Sequence, residues 1–506
     1  MCTPFHGEEF TFVQPDGSYL AVRGWGNQYH AAFEALNGYT VVENPATGFY
    51  MYAKLSEDGE QLLSSGARPR EVAAGALGLA PGLRIAPQAA RARVRDGAIL
   101  RPGGSRWEQR RKQYKADLRA HLLAPDIMPA PPKRETVGDF VGLCLLIDFP
   151  DVRATISQEE VARFCNQPGY NGFGNHGSVH DYFLDVSGGR MHYTNLVTPW
   201  YTARQPRSYY TNERVPQPQR ARELIREALA HFKRNGFDFS SLTTDGQEYV
   251  YATNVFYAGK RVNNWAKGLW PHAFHLLTPY QLGPGMHSFD YQITDMGQEL
   301  ALGTFCHENG HMICDFPDLY DYGAESSGIG DFCLMCSGSN ADKKNPTQVN
   351  AYLKYRAGWA ASTASIQPGR ATAEANANQF HLHRNSANQA EYFIIENRLA
   401  SGRDQSLPSQ GLAIWHIDER GDNKFEQMTQ AQHYECALMQ ADGQCDLERD
   451  SSNRGDAGDL FPANGNTRFG PGTAPASRWW NGAPSGLQLD QISEAGLSMS
   501  FKVLQA

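Results

Sequence analysis

The segment CHENGHMICDFPDLYDYG, residues 306–323, constrains this chain more than any other. Two histidines stand four apart, His307 and His311, with Glu308 directly after the first. On a helix, residues four apart lie on one face one turn apart, so both imidazoles can reach a single ion. Glu308 sits one position round the helix, where it can hold an attacking water without being a ligand. Many sites of this kind take a third ligand ten residues after the first histidine. Here that position is Pro317, which has no donor to offer, and Asp315, Asp318 and Asp321 surround it. The longer run ITDMGQELALGTFCHENGHMI predicts a helix capped by Asp295 and continuing through Ile313. A five-residue match also arises by chance on surface helices, so the surrounding sequence has to carry the case.

The 506 residues imply two or three domains. An apolar content of 41% with 20% charged residues is that of a folded globular chain. The net charge of −8 gives no support for a nucleic-acid partner. No apolar run reaches the length of a membrane span, and MCTPFHGEEF shows neither the basic nor the apolar region of a signal peptide.

Residues 1–100 read as short strands, with hairpin turns at Asp16-Gly17 and Asn44-Pro45, and suggest a small β domain. Residues 101–136, rich in Arg, Lys, Ala, Pro and Gly, read as an exposed basic linker with one short helix at most, open to nicking near Arg110-Arg111-Lys112. From 137 to 362 strands and helices alternate. FVGLCLLIDFPD is a buried strand, SQEEVARFCN and GSVHDYFLDVSGG are serine-capped helices, MHYTNLVT is a strand, RARELIREALAHFKRNG a periodic helix and EYVYATNVFYAG a buried strand. Residues 363–506 return to strands (AEYFIIENRL, GLAIWHID, YECALMQAD, LSMSFKV) and suggest a β-sandwich-like domain.

These segments together resemble the immune-inhibitor-A family of secreted zinc metallopeptidases, within the metzincin group. HENGH followed by PDLYD is similar to the family's histidine helix and turn; LMCSGS, GLAIWHIDE, YFIIENR and RGDAGDLFP are similar to its later segments. GWGNQYHAAFEALNGYTVV resembles the propeptide of such enzymes. The resemblance implies an α+β chain: a metzincin-type catalytic domain, with a mixed twisted sheet and backing and active-site helices, between a small β prodomain and the C-terminal β domain. It implies a zinc endopeptidase made as a zymogen, monomeric, exported and acting on proteins or peptides; with no leader visible, a cytoplasmic location is the alternative. Where the family has one glycine after the second histidine, this chain has Cys314-Asp315, one residue more. Aligning on PDLYD carries the family's aspartate ligand onto Asp318, with Asp315 and Asp321 as alternatives, and whichever residue replaces the turn glycine carries backbone strain. Met335 matches the methionine that underlies the metal in metzincins.

Other residues invite weaker readings. His272, His275, Tyr320 and Tyr322 are candidates for lining the cleft or stabilising the oxyanion. Asp442, Asp446, Asp450, Asp456 and Asp459 crowd one polar loop and make calcium a candidate second ion. A gluzincin-type site would need a later glutamate, for which Glu325 is nearest; a structural zinc site could instead use Cys306, Cys314, Cys333 and Cys336. Cys306 and Cys314 lie about 12 Å apart if helical, too far to pair. A bridge from either to Cys333 or Cys336 would fasten the helix to the methionine turn; buried free thiols are the alternative.

Overall fold

The computed structural model describes residues 3–99, 104–132, 134–323, 325–425 and 428–505. The sheet that carries the candidate site is built on β7 (Gly138–Asp148), the FVGLCLLID run. It lies between β8 (Met191–Thr202) and β9 (Thr253–Tyr257), parallel to both; β9 pairs in parallel with β11 (Met286–Asp295), and β10 (His272–Gly283) closes the edge antiparallel to β11. The run is apolar without alternation because both faces are covered. Leu143, Leu145 and Ile147 pack on one face with the apolar side of the periodic helix Gln219–Arg234, including Leu224, Ile225 and Leu229. Cys144 and Leu146 pack on the other with the serine-capped helices Gln158–Asn166 and Val179–Val186, and with the histidine helix.

That histidine helix spans Leu302–Cys314, shorter than expected. Asp295, expected as its cap, ends β11 instead, where Gln292–Asp295 is paired with Asn254–Tyr257, and residues 296–301 stay outside the helix. Two flanking strands satisfy the backbone there, and that overrides the local helical preference.

Within residues 3–99 lies a six-stranded antiparallel meander β1–β6 running from Phe5–Val13 to Leu62–Ser64, followed by a helix at Pro87–Ile99. Its core of Phe5, Phe10, Phe12 and Phe33 includes Trp270, two residues before β10, so the unit is seated against the β7 sheet.

The largest departure is in 101–136. Within it, Arg106–Leu123 is a single 18-residue helix docked against the body of the protein, with Trp107 and Leu118 buried. The segment is no solvated tether. Its arginines are there to meet carboxylates, and basic composition alone does not distinguish a docked cationic face from a solvated one.

Past 363, the strands Ser362–Ser365, Gln379–Arg384, Glu391–Arg398, Gly411–Asp418 and Cys436–Leu438 make one five-stranded sheet, and Gly369–Glu374, Ser498–Val503 and Leu489–Asp490 a small second one. Along Glu391–Arg398, Tyr392 and Ile394 face the core that holds the histidine helix while Phe393 and Ile395 face the second sheet. The strand's alternate side chains thus join two layers into one packed body.

Candidate metal centre

The histidine helix is buried at every position but Thr304, with His307 at 0%, Glu308 at 1% and His311 at 4% exposure. Two of its glycines permit the close approach that such burial needs. A Cβ on Gly310 would lie 2.9 Å from the sulfur of Met335, and one on Gly303 would lie 2.0 Å from the carbonyl oxygen of Ser339. Met335 therefore packs against the helix one residue before His311, as the floor of the site. On the opposite side, Asn309 is held by Asn254 (Nδ2 to Oδ1, 2.9 Å) and accepts from the Tyr193 hydroxyl at 2.6 Å, which fastens the helix to β8 and β9.

The helix ends in a left-handed residue, Asp315, at φ 56° and ψ 29°. This is the strained turn expected where a glycine is missing. The chain reverses there, so that the Phe316 carbonyl meets Nδ1 of His311 at 2.6 Å. Nδ1 of His307 meets the Leu334 carbonyl at 2.9 Å, on the methionine turn. A carbonyl can only accept, so each Nδ1 donates and each Nε2 keeps its lone pair.

Those lone pairs converge. Nε2 of His307 and Nε2 of His311 are 3.1 Å apart, and Oδ1 of Asp318 lies 3.1 Å from each. Oδ2 of Asp318 accepts from the Tyr322 hydroxyl at 2.5 Å. Three acceptors pointed at one spot repel unless a cation lies among them. Tetrahedral zinc with bonds of about 2.0–2.1 Å sets its ligands about 3.3 Å apart, close to the spacing found, and the two-nitrogen, one-oxygen donor set suits it. Among the described residues this is the one group of three or more His, Cys, Asp or Glu side chains with metal-binding geometry.

The alternative residues have other duties. Asp315 is paired with Arg110 at 2.7 Å and with Arg134. Asp321 accepts the backbone N–H groups of Gly323 and Glu325 at 2.9 and 2.8 Å, with its carboxyl pushed up to about 6 by burial. Glu325 pairs with Arg91, which removes the gluzincin alternative. Cys306, Cys314, Cys333 and Cys336 are buried free thiols, so neither the disulfide nor a four-cysteine zinc site forms. His272 is a structural residue of β10, its ring bonded to the Trp270 carbonyl and the Tyr291 hydroxyl. His275 lies beside it on β10, stacked on Phe274 and Phe289. Tyr320 packs against Tyr322, 5.3 Å between ring centroids.

Two contacts from the N-terminal part of the chain were not foreseen. The indole of Trp107 lies flat on the His311 imidazole, 4.4 Å between centroids at 15°. Tyr29 stacks on Tyr322 at 4.5 Å, in a loop pinned by Asn27 to the Tyr322 carbonyl and by Trp265 to the Asn27 carbonyl. The one signal in the sequence was Ser105 followed by Glu108, a capping box: the Ser105 N–H donates to Glu108 at 2.9 Å.

Residues 276–365 match the family model described as immune inhibitor A peptidase M6, catalytic domain. The match bears out the resemblance read from the sequence and marks the chain as carrying a metallopeptidase catalytic segment, one that contains His307, Glu308, His311, Asp318 and Met335. No curated protein matches the chain. Among the described residues no helix is long and apolar enough to cross a membrane.

Proposed function

We propose, on the premise that the chain belongs with the immune inhibitor A peptidases, that it is a zinc-dependent endopeptidase made as a zymogen, with a metzincin-type catalytic domain over 137–362. The observation that carries this reading is the meeting of two Nε2 atoms and one carboxylate oxygen while both Nδ1 atoms are tied to carbonyls. His307, His311 and Asp318 would hold the ion. Zinc, when bound there, supplies Lewis acidity to a peptide carbonyl and acidity to a water. Glu308 accepts the proton that the water gives up as its oxygen attacks the carbonyl, and hands it to the leaving amine nitrogen. Tyr322 keeps the Asp318 carboxylate oriented through Oδ2, leaving Oδ1 for the ion.

Residues 1–100 and the helix Arg106–Leu123 act as the prosegment. Trp107 on His311 and Tyr29 on Tyr322 cover two flanks of the site, and an extended peptide has to displace them. Cutting within 101–136 frees the cleft. Export and a monomeric state follow from the family resemblance. The calcium expected at the acidic loop finds no support, since among the described residues its carboxylates do not come together as a metal-binding group; the Asp459 carboxyl is pushed up to about 7 by burial and its acidic neighbours. Asp450 is turned to Ser452 and takes no part.

The test is zinc content and casein hydrolysis of the intact chain beside the chain nicked in 101–136. One zinc per chain in both and a rise in activity on nicking are expected. A chain that binds no zinc would sink the site, and equal activity before and after nicking would sink the zymogen.

A further inference from the structure

The helix Arg106–Leu123 does more than cover the metal cluster. Arg106 and Arg110 reach Asp245 at 3.3 and 3.2 Å, and Arg111 and Lys115 reach Glu435, both at 2.7 Å. At 100° per residue, Trp107 points roughly midway between these two basic pairs, which lie on the order of 140° apart round the helix. Trp107 faces His311, so the two carboxylates lie on either side of the cluster.

The carboxylates under this helix are not equivalent. Asp315 keeps Arg134 as well as Arg110, and Glu419, which accepts from the Tyr114 hydroxyl, keeps Arg356 at 3.0 Å. Asp245 and Glu435 have, among the described residues, no cation except those of the helix. Their remaining partners are neutral: Asp245 Oδ1 accepts the Gln247 and Tyr249 N–H groups at 2.9 and 3.0 Å, and Glu435 Oε1 accepts the Tyr352 hydroxyl at 2.5 Å. These bonds fix both carboxylates in place without neutralising them. With the helix seated, their side chains are 6% and 3% exposed. Lifting the helix leaves two fixed, uncompensated negative charges at the cleft, and such groups gain most from a cationic partner.

We propose that Asp245 and Glu435 are acidic subsites of the activated peptidase, that they recognise arginine and lysine side chains of the substrate, and that the prosegment helix stands in for such a chain. This rests on the zymogen reading above and names the substrate class it left open. A substrate running from one carboxylate to the other crosses the cluster, and so carries a basic side chain on each side of the bond that is cut. The helix itself satisfies the charges without laying an extended peptide bond over the metal.

The full chain, zinc-loaded and activated by nicking in 101–136, is given two fluorogenic peptides that differ only at the residues flanking the scissile bond, arginine in one and glutamine in the other. The kcat/KM ratio should favour arginine by about tenfold or more, and should fall with added salt. Asp245→Asn and Glu435→Gln should each cut that ratio roughly fivefold. A wild-type ratio near one, or a ratio that neither substitution moves, overturns the subsites while leaving a working peptidase. A second measurement needs no turnover: calorimetric titration of a peptide of residues 104–123 into the activated chain. Replacing its arginines and lysines by glutamine should weaken binding at least about tenfold, and equal binding of the two peptides counts against the subsites. Charge-dependent binding with no hydrolysis of any peptide would keep the acidic subsites and sink the peptidase.

Discussion

Arg110→Ala should loosen the helix Arg106–Leu123 from the body of the protein. The guanidinium donates to Asp315 through Nε at 2.9 Å and through a terminal nitrogen at 2.7 Å, to Asp245 at 3.2 Å and to the Met312 carbonyl at 3.1 Å. Removing one partner of a fully buried pair costs about 3–5 kcal/mol. Here the side chains are 20% and 13% exposed, and each carboxylate keeps another arginine, Arg134 on Asp315 and Arg106 on Asp245. The loss is therefore nearer about 2 kcal/mol, which at about 1.4 kcal/mol per decade is roughly a 30-fold shift toward the undocked helix. Amide hydrogen exchange over Arg106–Leu123 reads that opening directly. Exchange there should quicken by roughly 30-fold in the variant, while β7 stays protected. Exchange unchanged within about threefold would mean that Trp107 and Leu118 alone hold the helix, and the ionic account of latency would fail.

Other outcomes follow from the same geometry. Glu308→Gln should keep zinc, because no ligand is lost, and lower casein hydrolysis by about two to four orders of magnitude; near-normal turnover would rule out Glu308 as the base. Asp318→Ala should weaken zinc binding by more than about a hundredfold, whereas Asp321→Ala, which removes only an acceptor for two backbone N–H groups, should keep it; metal titration separates them. For pH, burial would raise the Glu435 carboxyl, but Arg111 and Lys115 hold it down at about 2. A depressed carboxyl stabilises above its unfolded value of 4.5 and loses that stabilisation as pH falls through about 2. The stability gap between wild type and Glu435→Gln should thus be flat above about pH 4.5 and close toward pH 2; a gap that closed near neutrality would point to a different group.

The sequence disclosed the central strand of the sheet behind the histidine helix because β7 is a continuous apolar run, and such a run is stable only with both faces covered. It brought His307 and His311 forward as candidate ligands because helical spacing joins them, and the family resemblance, aligned on PDLYD, added Asp318. The start of the helix was hidden, since the strand pairing of Gln292–Asp295 is a long-range matter that no local pattern reports. The docked helix was hidden for a related reason. Arg106, Arg110, Arg111 and Lys115 find their carboxylates at Asp245, Asp315 and Glu435, more than a hundred positions away in sequence. The C-terminal strands were visible, but their division between two packed layers was not: Tyr392, Phe393, Ile394 and Ile395 are all apolar, so no polar face marks which way each one points.

The extra residue after His311 poses the remaining problem, how a longer loop still delivers Asp318. Asp315 solves it by taking the left-handed conformation that a glycine takes without penalty. Its N–H caps the helix onto the Gly310 and His311 carbonyls, and the reversal sends the Phe316 carbonyl to His311 and Asp318 to the cluster. For a residue with a Cβ this conformation costs on the order of 1 kcal/mol. Asp315→Gly relieves that strain but loses the ion pairs with Arg110 and Arg134; Asp315→Ala loses the same pairs and keeps the strain. The alanine variant should therefore be less stable than the glycine variant by about 1 kcal/mol in denaturant unfolding of the zinc-loaded chain, and both should keep their zinc. Equal stability would show that the turn carries no strain. Loss of zinc from both variants, to the degree expected for Asp318→Ala, would make Asp315 a ligand and undo the assignment of the third position.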